Sequence, residues 1–384
     1  MRAMQLQLSI FNFSPDASLR LDHPIQTRLA ALFERIDCLV ERLIGIEMKN
    51  RLPMRFWAGR IPLFDGEKSV RHRGFDFEKY LSPLQDEYSL NGNFASLTPC
   101  AFALNRGVLI FLNGQFVPEE RAVVSVLDRG FLYGDGLFET MRIFNGKPFR
   151  WREHLERFQN GAEFLKIKLP FDPEALRGFV EELIEKNNLP DALLRMTLSR
   201  GIGVRGYSPK GAENPTIVMS LHPAPRHGGK SPRWKLITST HRLPANEPLA
   251  HFKTCNKLAQ ILARSEADAA GADEALLLNT DGFVVEGASS NLFWIEDDTI
   301  CTPPLASGVL PGVTRAVVLE ICKKLGLKTS QANIGIEGLK SADGVFVSLS
   351  SFGIVEAASL EGRAVSESPL AKQIQQNYQS IIAT

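Results

Sequence analysis

Lys253 lies in His251-Phe252-Lys253-Thr254-Cys255-Asn256-Lys257-Leu258, and Glu286 lies in Val285-Glu286-Gly287-Ala288-Ser289-Ser290-Asn291-Leu292-Phe293. A lysine amine can condense with an aldehyde to a Schiff base, and once displaced it can move a proton. A carboxylate can keep a pyridine nitrogen protonated, and the protonated ring then accepts an electron pair. Neither residue alone proves such a pairing. The order and context of the two make it specific.

A second pattern has to be set aside. Gly201-Ile202-Gly203-Val204-Arg205-Gly206 matches G-x-G-x-x-G and follows a predicted strand. A dinucleotide site needs a helix to open there, with its N-terminus facing the pyrophosphate. Tyr207-Ser208-Pro209-Lys210-Gly211 follows instead, and no acidic residue closes a second strand where Val218 to Leu221 is apolar. The segment reads as a flexible loop carrying an arginine and a tyrosine.

The elements around these residues read as mixed α/β structure. Strands are predicted at Val108 to Leu112 and Gln115 to Val117, about an Asn113-Gly114 turn. Another runs from Phe138 to Phe144 and turns at Asn145-Gly146. Helices follow at Trp151 to Leu165 and Pro173 to Asn187, then strands at Leu193 to Ser199 and Thr216 to Leu221. The Pro/Gly-rich run His222 to Pro232 is the best linker candidate. Beyond it come a strand at Trp234 to Ser239 and a helix at Cys255 to Ala270. Strands at Ala275 to Leu278 and Asn291 to Glu296 flank an Asp281-Gly282 turn, with a helix at Thr314 to Leu325 and a strand at Gly344 to Ser348. The expected domains are 107–227, a small α/β unit, and 228–384, a larger one carrying Lys253. No internal repeat is evident.

Residues 1–106 carry no assignable motif, apart from a helical spacing of Ile25, Leu29, Leu32, Ile36, Val40, Leu43 and Ile44. They read either as an extension or small accessory element, or as upstream sequence joined to a chain that starts near Val108 or Leu109. At 384 residues the chain is long enough for two domains, and a net charge of +1 gives no sign of a nucleic-acid footprint. The cysteines Cys38, Cys100, Cys255, Cys301 and Cys322 are scattered. No CxxC and no zinc-spaced His/Cys cluster occurs, so no metal is expected, and reduced thiols in a cytoplasmic protein are the simplest reading. There is no signal-peptide core and no apolar run near the roughly 20 residues of a membrane span.

Five segments occur together and in order from about Leu109 to the C-terminus. They are Asp128-Arg129-Gly130-Phe131-Leu132-Tyr133-Gly134-Asp135-Gly136-Leu137-Phe138-Glu139-Thr140, Glu153-His154-Leu155-Glu156-Arg157, the Lys253 segment, the Glu286 segment, and Leu310-Pro311-Gly312-Val313-Thr314-Arg315. As a set they resemble the class IV (fold-type IV) pyridoxal-phosphate (PLP) enzymes. That family includes branched-chain aminotransferase, D-amino acid aminotransferase and 4-amino-4-deoxychorismate lyase. The resemblance implies a two-domain D-amino acid aminotransferase-like fold, PLP as cofactor and a homodimer.

Carried over residue by residue, Lys253 matches the Schiff-base lysine and Glu286 the partner of the pyridine nitrogen. Arg157 matches the arginine that grips the phosphate, a role suited to a guanidinium fork. Val313 and Thr314 match donors at a helix N-terminus. Ser350 and Ser351 fall where the family has further phosphate-side donors, although Ser348-Leu349-Ser350-Ser351-Phe352-Gly353 departs from its usual polar pattern. Asn291 is read as fixing the loop around Glu286. Plainer readings stand beside these: a surface lysine, a turn carboxylate, a solvated helix arginine and a helix cap.

Specificity has to come from the pocket. The branched-chain enzymes carry Tyr-x-Arg where this chain has Leu193-Leu194-Arg195, and D-amino acid aminotransferase carries Arg-x-His where it has Arg205-Gly206-Tyr207. The run from Ser199 to Ser208 looks most like the aminodeoxychorismate lyases. The resemblance thus implies that Arg205 pairs with a substrate carboxylate, with Tyr207 beside it. Phe138 and Thr140 are expected on the substrate side, with buried strand packing as the alternative. The expected reaction converts 4-amino-4-deoxychorismate to 4-aminobenzoate and pyruvate, for folate synthesis. The alternative is an aminotransferase acting on branched-chain or D-amino acids with a 2-oxo acid acceptor.

Overall fold

The computed structural model describes residues 108–225 and 232–383. The patterned stretch from Ile25 to Ile44, the rest of 1–107 and the middle of the linker candidate lie outside the described residues. The architecture is mixed α/β, with two sheets.

The first sheet has six strands in the order β2-β1-β6-β5-β3-β4. They are β1 (Leu109–Leu112), β2 (Gln115–Pro118), β3 (Gly136–Phe144), β4 (Lys147–Pro148), β5 (Ala192–Ser199) and β6 (Thr216–Pro223). All pair antiparallel. A short helix α1 (Arg129–Tyr133) precedes β3, and α2 (Trp151–Phe164) and α3 (Pro173–Asn187) follow it. Both long helices bury one apolar face on the sheet: Leu155, Phe158, Leu176, Val180 and Leu183 share a core with Met141, Ile143 and Leu194. Alternation along β3 then leaves Phe138 and Thr140 on the opposite face. β6 continues through Pro223, so the predicted linker begins later than its composition suggests.

The second sheet has nine strands in the order β12-β11-β10-β13-β14-β7-β8-β9, with β15 on β14. They are β7 (Arg233–Leu243), β8 (Glu274–Asn279), β9 (Val284–Gly287), β10 (Asn291–Glu296), β11 (Thr299–Thr302), β12 (Lys328–Gln331), β13 (Gly344–Leu349), β14 (Gly353–Leu360) and β15 (Arg363–Ala364). β9 also pairs with β10, through the single register pair Glu286↔Asn291. That pairing closes β10, β13, β14, β7, β8 and β9 into a ring. Four helices accompany the sheet: α4 (Leu258–Ala269), α5 (Val313–Lys324), α6 (Ile336–Lys340) and α7 (Pro369–Ala383). Leu292, Trp294, Val345 and Val347 pack in one core, while Phe293, Ile295 and Phe346 pack in another with α5 and α7. Both faces are covered, which is why these strands read as unbroken apolar runs.

α4 starts at Leu258, three residues later than the helix expected from Cys255. Its would-be first turn is strung on β3 instead: Phe138 N–H donates to the Lys253 carbonyl at 2.9 Å, and Cys255 N–H to the Gly136 carbonyl at 2.9 Å. Among the described residues no helix is long and apolar enough to cross a membrane.

α7 is absent from the sequence reading, yet Ile374 is fully buried and Tyr378 nearly so. Tyr378 packs so tightly on Gly353 that a Cβ there would lie 2.5 Å from its ring. We predict that Ile374→Ala lowers stability by about 2–5 kcal/mol, read from urea unfolding midpoints. A midpoint equal to wild type would show that α7 is not part of the core.

Candidate active site

The expected residues converge on one cavity of about 510 Å³ between the two sheets. Phe138, Thr140, Arg157, Lys253, Glu286, Val313, Thr314, Ser350 and Ser351 all line it. Arg205 and Tyr207 do not. Their loop, 201–210, is clamped from behind by Arg129, which is buried. Arg129 donates to the carbonyls of Gly206 at 2.8 Å, Tyr207 at 3.0 Å and Ser208 at 3.2 Å, and its Nε pairs with Asp135 at 2.8 Å. The backbone of the loop is therefore fixed while the Tyr207 side chain is 87% exposed. The substrate-side role expected of Arg205 and Tyr207 is therefore not placed in this chain's own cavity.

Lys253 reaches the cavity because its backbone hangs on β3, which sets its ammonium over the Phe138 ring, 4.6 Å from the centroid. Burial, with the Arg157 charge adding to it, brings this ammonium down to about 8. Arg157 projects from α2 and is committed before any ligand arrives. Its Nε and Nη2 each donate to Glu139 at 2.7 Å, and its Nη1 donates to the Pro311 carbonyl at 2.9 Å. Glu139 is fully buried, with His154 Nδ1 2.8 Å away. Burial alone would raise the Glu139 carboxyl. The Arg157 charge and the hydrogen bonds from His154 and Arg157 outweigh it and hold the group at about 2. Burial pushes the His154 ring down, against the pull of Glu139. Glu139 thus neutralises Arg157 and aims it, leaving one N–H on each Nη for a ligand.

Glu286 lies at the seam of the ring. It accepts a hydrogen bond from Leu310 N–H at 3.0 Å, and its register partner Asn291 donates Nδ2 to the Leu310 carbonyl at 2.9 Å. One residue is therefore gripped by both its N–H and its carbonyl, and Asn291, read from the sequence as fixing the loop around Glu286, bonds the Leu310 segment. Burial raises the Glu286 carboxyl despite the Leu310 amide and the two neighbouring lysines, Lys257 and Lys253. Two residues after Leu310, a Cβ on Gly312 would lie 1.9 Å from Asn291 Oδ1, so a larger residue there would displace that amide. Gly312 is the N-cap of α5 and offers no side-chain cap, so the first N–H groups of that helix face the cavity at Val313 and Thr314.

Glu274 is a residue that sequence reasoning missed. It is fully buried on β8 and accepts from Ser289 N–H at 3.1 Å, Ser289 Oγ at 2.6 Å and Ser290 Oγ at 3.1 Å. These bonds pin the turn between Glu286 and Asn291. The available signal was a charge opening an apolar strand, Glu274-Ala275-Leu276-Leu277-Leu278. Lys257 was missed as well; it lines the cavity four residues after Lys253.

PLP fits this donor set. An amine and a buried carboxylate share the cavity, and uncapped helix N–H groups stand with Arg157 and the Ser350-Ser351 turn. Among the described residues Ser348 Oγ, buried in the cavity wall, has no hydrogen-bond partner. Phosphate is the natural guest of such a helix end. If Lys253 is the capturing amine, uptake of PLP by apoprotein speeds up as pH rises toward about 8 and levels off above it, because only the neutral amine attacks. The visible band followed against time at several pH values tests this; a rate flat across that range would remove Lys253 from the role.

The sequence profile of the amino-transferase class IV family matches residues 136–360. A putative branched-chain-amino-acid aminotransferase of Methanocaldococcus jannaschii is 35% identical over 275 residues, 71% of this chain and 96% of its own. An aminodeoxychorismate lyase of Bacillus subtilis is 30% identical over 257 residues, 66% of this chain and 87% of its own. Among solved structures, the T.th. branched-chain amino acid aminotransferase with pyridoxamine 5'-phosphate superposes with a TM-score of 0.69 at 31% identity, covering 72% of this chain and 95% of the other.

Proposed function

Because the chain belongs to the class IV aminotransferases, a PLP-dependent family, we propose that it is a PLP-dependent lyase converting 4-amino-4-deoxychorismate to 4-aminobenzoate and pyruvate. The observation that carries the catalytic reading is the meeting of Lys253 and Glu286 in one cavity with the N-terminus of α5. When bound, PLP supplies an aldehyde that condenses with amines and a ring that accepts an electron pair from the carbon bearing nitrogen. Glu286 holds a proton at the pyridine nitrogen. Arg157, the Val313 N–H, the Thr314 hydroxyl and the Ser350 and Ser351 side chains hold the phosphate. Lys253, once displaced by the substrate amine, takes the proton from the carbon that bears it. Its ammonium, held near 8, lets it both give and accept a proton around neutrality.

The lyase reading is supported by the loop from Ser199 to Ser208 and by Leu193, which stands where branched-chain enzymes carry tyrosine. A second reading, an aminotransferase for branched-chain or D-amino acids, is favoured by the 35% identity to the putative branched-chain-amino-acid aminotransferase. The two differ in where Lys253 delivers the proton. PLP-loaded enzyme given 4-amino-4-deoxychorismate is expected to release pyruvate and 4-aminobenzoate in equal amounts. No release from protein that shows the cofactor band moves the assignment to transamination, to be screened with amino donors and 2-oxoglutarate.

The enzyme is further proposed to be a cytoplasmic homodimer. Val123, Val126, Leu127, Phe131, Ile202 and Val204 are each more than half exposed. The Asp128↔Ile202 bridge and the Arg129 clamp join their segments into one apolar face. Arg205 and Tyr207 stand on the same loop, so their substrate role is proposed to be in the partner's cavity. Sedimentation equilibrium is expected to give twice the chain mass, and Phe131→Asp to shift it toward monomer. A wild-type monomer with full activity refutes the dimer and the shared site together.

A further inference from the structure

Among the described residues four cationic side chains line the cavity: Arg157, Lys253, Lys257 and Arg264. Arg157 is committed to Glu139 and the Pro311 carbonyl. Arg264 is committed to Asp268 and the Asp273 carbonyl. Lys253 is the amine assigned above. Lys257 is left over. It stands at the N-cap position of α4, four residues after Lys253, and is only partly exposed. Among the described residues its ammonium has no hydrogen-bond or ion-pair partner. Its charged or titratable neighbours are Glu286 from β9, Cys255 two residues before it, Arg157 from α2 and Lys253.

Glu286 pulls against the effect of burial on it but makes no hydrogen bond or ion pair with it. That carboxylate is already bonded to the Leu310 amide and is shared with Lys253. An ammonium removed from water without a partner is costly, and such a group finds its counter-charge in whatever fills the site. Burial lowers the Lys257 ammonium, and the opposing pull of Glu286 does not offset it. It lines the same cavity as Lys253 and Thr314, and its ammonium carries three donors. Among the described residues the acidic side chains lining that cavity are Glu286 and Asp268, and Asp268 is taken by Arg264.

We propose that Lys257 is a binding residue for an anionic oxygen of the molecule that occupies the cavity. Two sources carry that chemistry: the ring oxygen of the cofactor and a carboxylate of the substrate. The proposal rests on the PLP reading of the site and adds to it a specificity element: the cavity is built for a guest with one more negative oxygen than its phosphate.

The test uses full-length, PLP-loaded wild type, Lys257→Gln and Lys257→Arg, with two readouts that need no turnover. One is the pH midpoint of the cofactor's visible band. The other is the calorimetric dissociation constant of maleate, a carboxylate probe that cannot react. Arginine keeps the charge and is expected to stay close to wild type. Glutamine is expected to move one readout. A midpoint raised by about one unit assigns the ring oxygen, since removing a nearby cation makes the chromophore's proton easier to keep. Loss of cofactor from the glutamine variant but not from the arginine variant assigns it too. Maleate bound about tenfold more weakly, at an unchanged midpoint, assigns the substrate carboxylate. If both readouts match wild type in the glutamine variant, or if arginine fails as glutamine does, the proposal is overturned. A wild-type protein with no visible band after loading refutes instead the PLP reading on which the proposal rests.

Discussion

Leu310 is gripped from both sides, its N–H by the Glu286 carboxylate and its carbonyl by the Asn291 amide. Much of the site hangs on that arrangement. The two gripping residues are themselves the register pair that closes the ring of strands. The gripped segment runs straight into Gly312 and α5. One local geometry therefore places a carboxylate at one end of the cavity and bare helix N–H groups at another. Glu274 fixes the turn between the two grips from beneath, as a buried carboxylate served by neutral donors. A hydrogen bond to a charged acceptor is worth about 1.5–3 kcal/mol, so a turn held this way has little freedom to splay.

The electrostatics follow a division of labour. Arg157 is balanced in advance by Glu139, so it can aim at a ligand without destabilising the empty protein. A lone arginine at that depth would carry a large desolvation cost. Lys253 is treated differently: it lies over the Phe138 ring, which shields it from water but neutralises nothing. The guanidinium of Arg195 also lies over that ring, 4.0 Å from its centroid. Phe138 is thus both the floor of the cavity and the group that keeps cationic residues ordered beside it.

The chemistry was more legible in the sequence than the framework. Lys253, Glu286, Arg157, Val313 and Thr314 stand in short local patterns, and local patterns survive without knowledge of the fold. β14 has no such pattern, because Gly353, Glu356, Ala357, Ala358 and Ser359 are weak strand formers ordered by the strands on either side. α7 did have a signal in Ala371, Ile374 and Tyr378 at helical spacing, with Pro369 in its first turn. Two features required three dimensions. The start of α4 is displaced because β3 claims the backbone at Lys253 and Cys255. Arg205 and Tyr207 stay out of their own cavity because Arg129 holds their loop by its carbonyls, and carbonyls leave no trace in sequence.

Ring closure through a single residue pair has a thermodynamic corollary. Whatever binds against Glu286 and the start of α5 binds to the seam itself, so ligand occupancy and closure are linked equilibria. A ligand that prefers the closed seam stabilises it by about 2.7 kcal/mol at a concentration one hundred times its dissociation constant. Seen that way, the cofactor is also a fastener, and the apoprotein is the form in which protease attack and amide exchange should begin between β9 and β10.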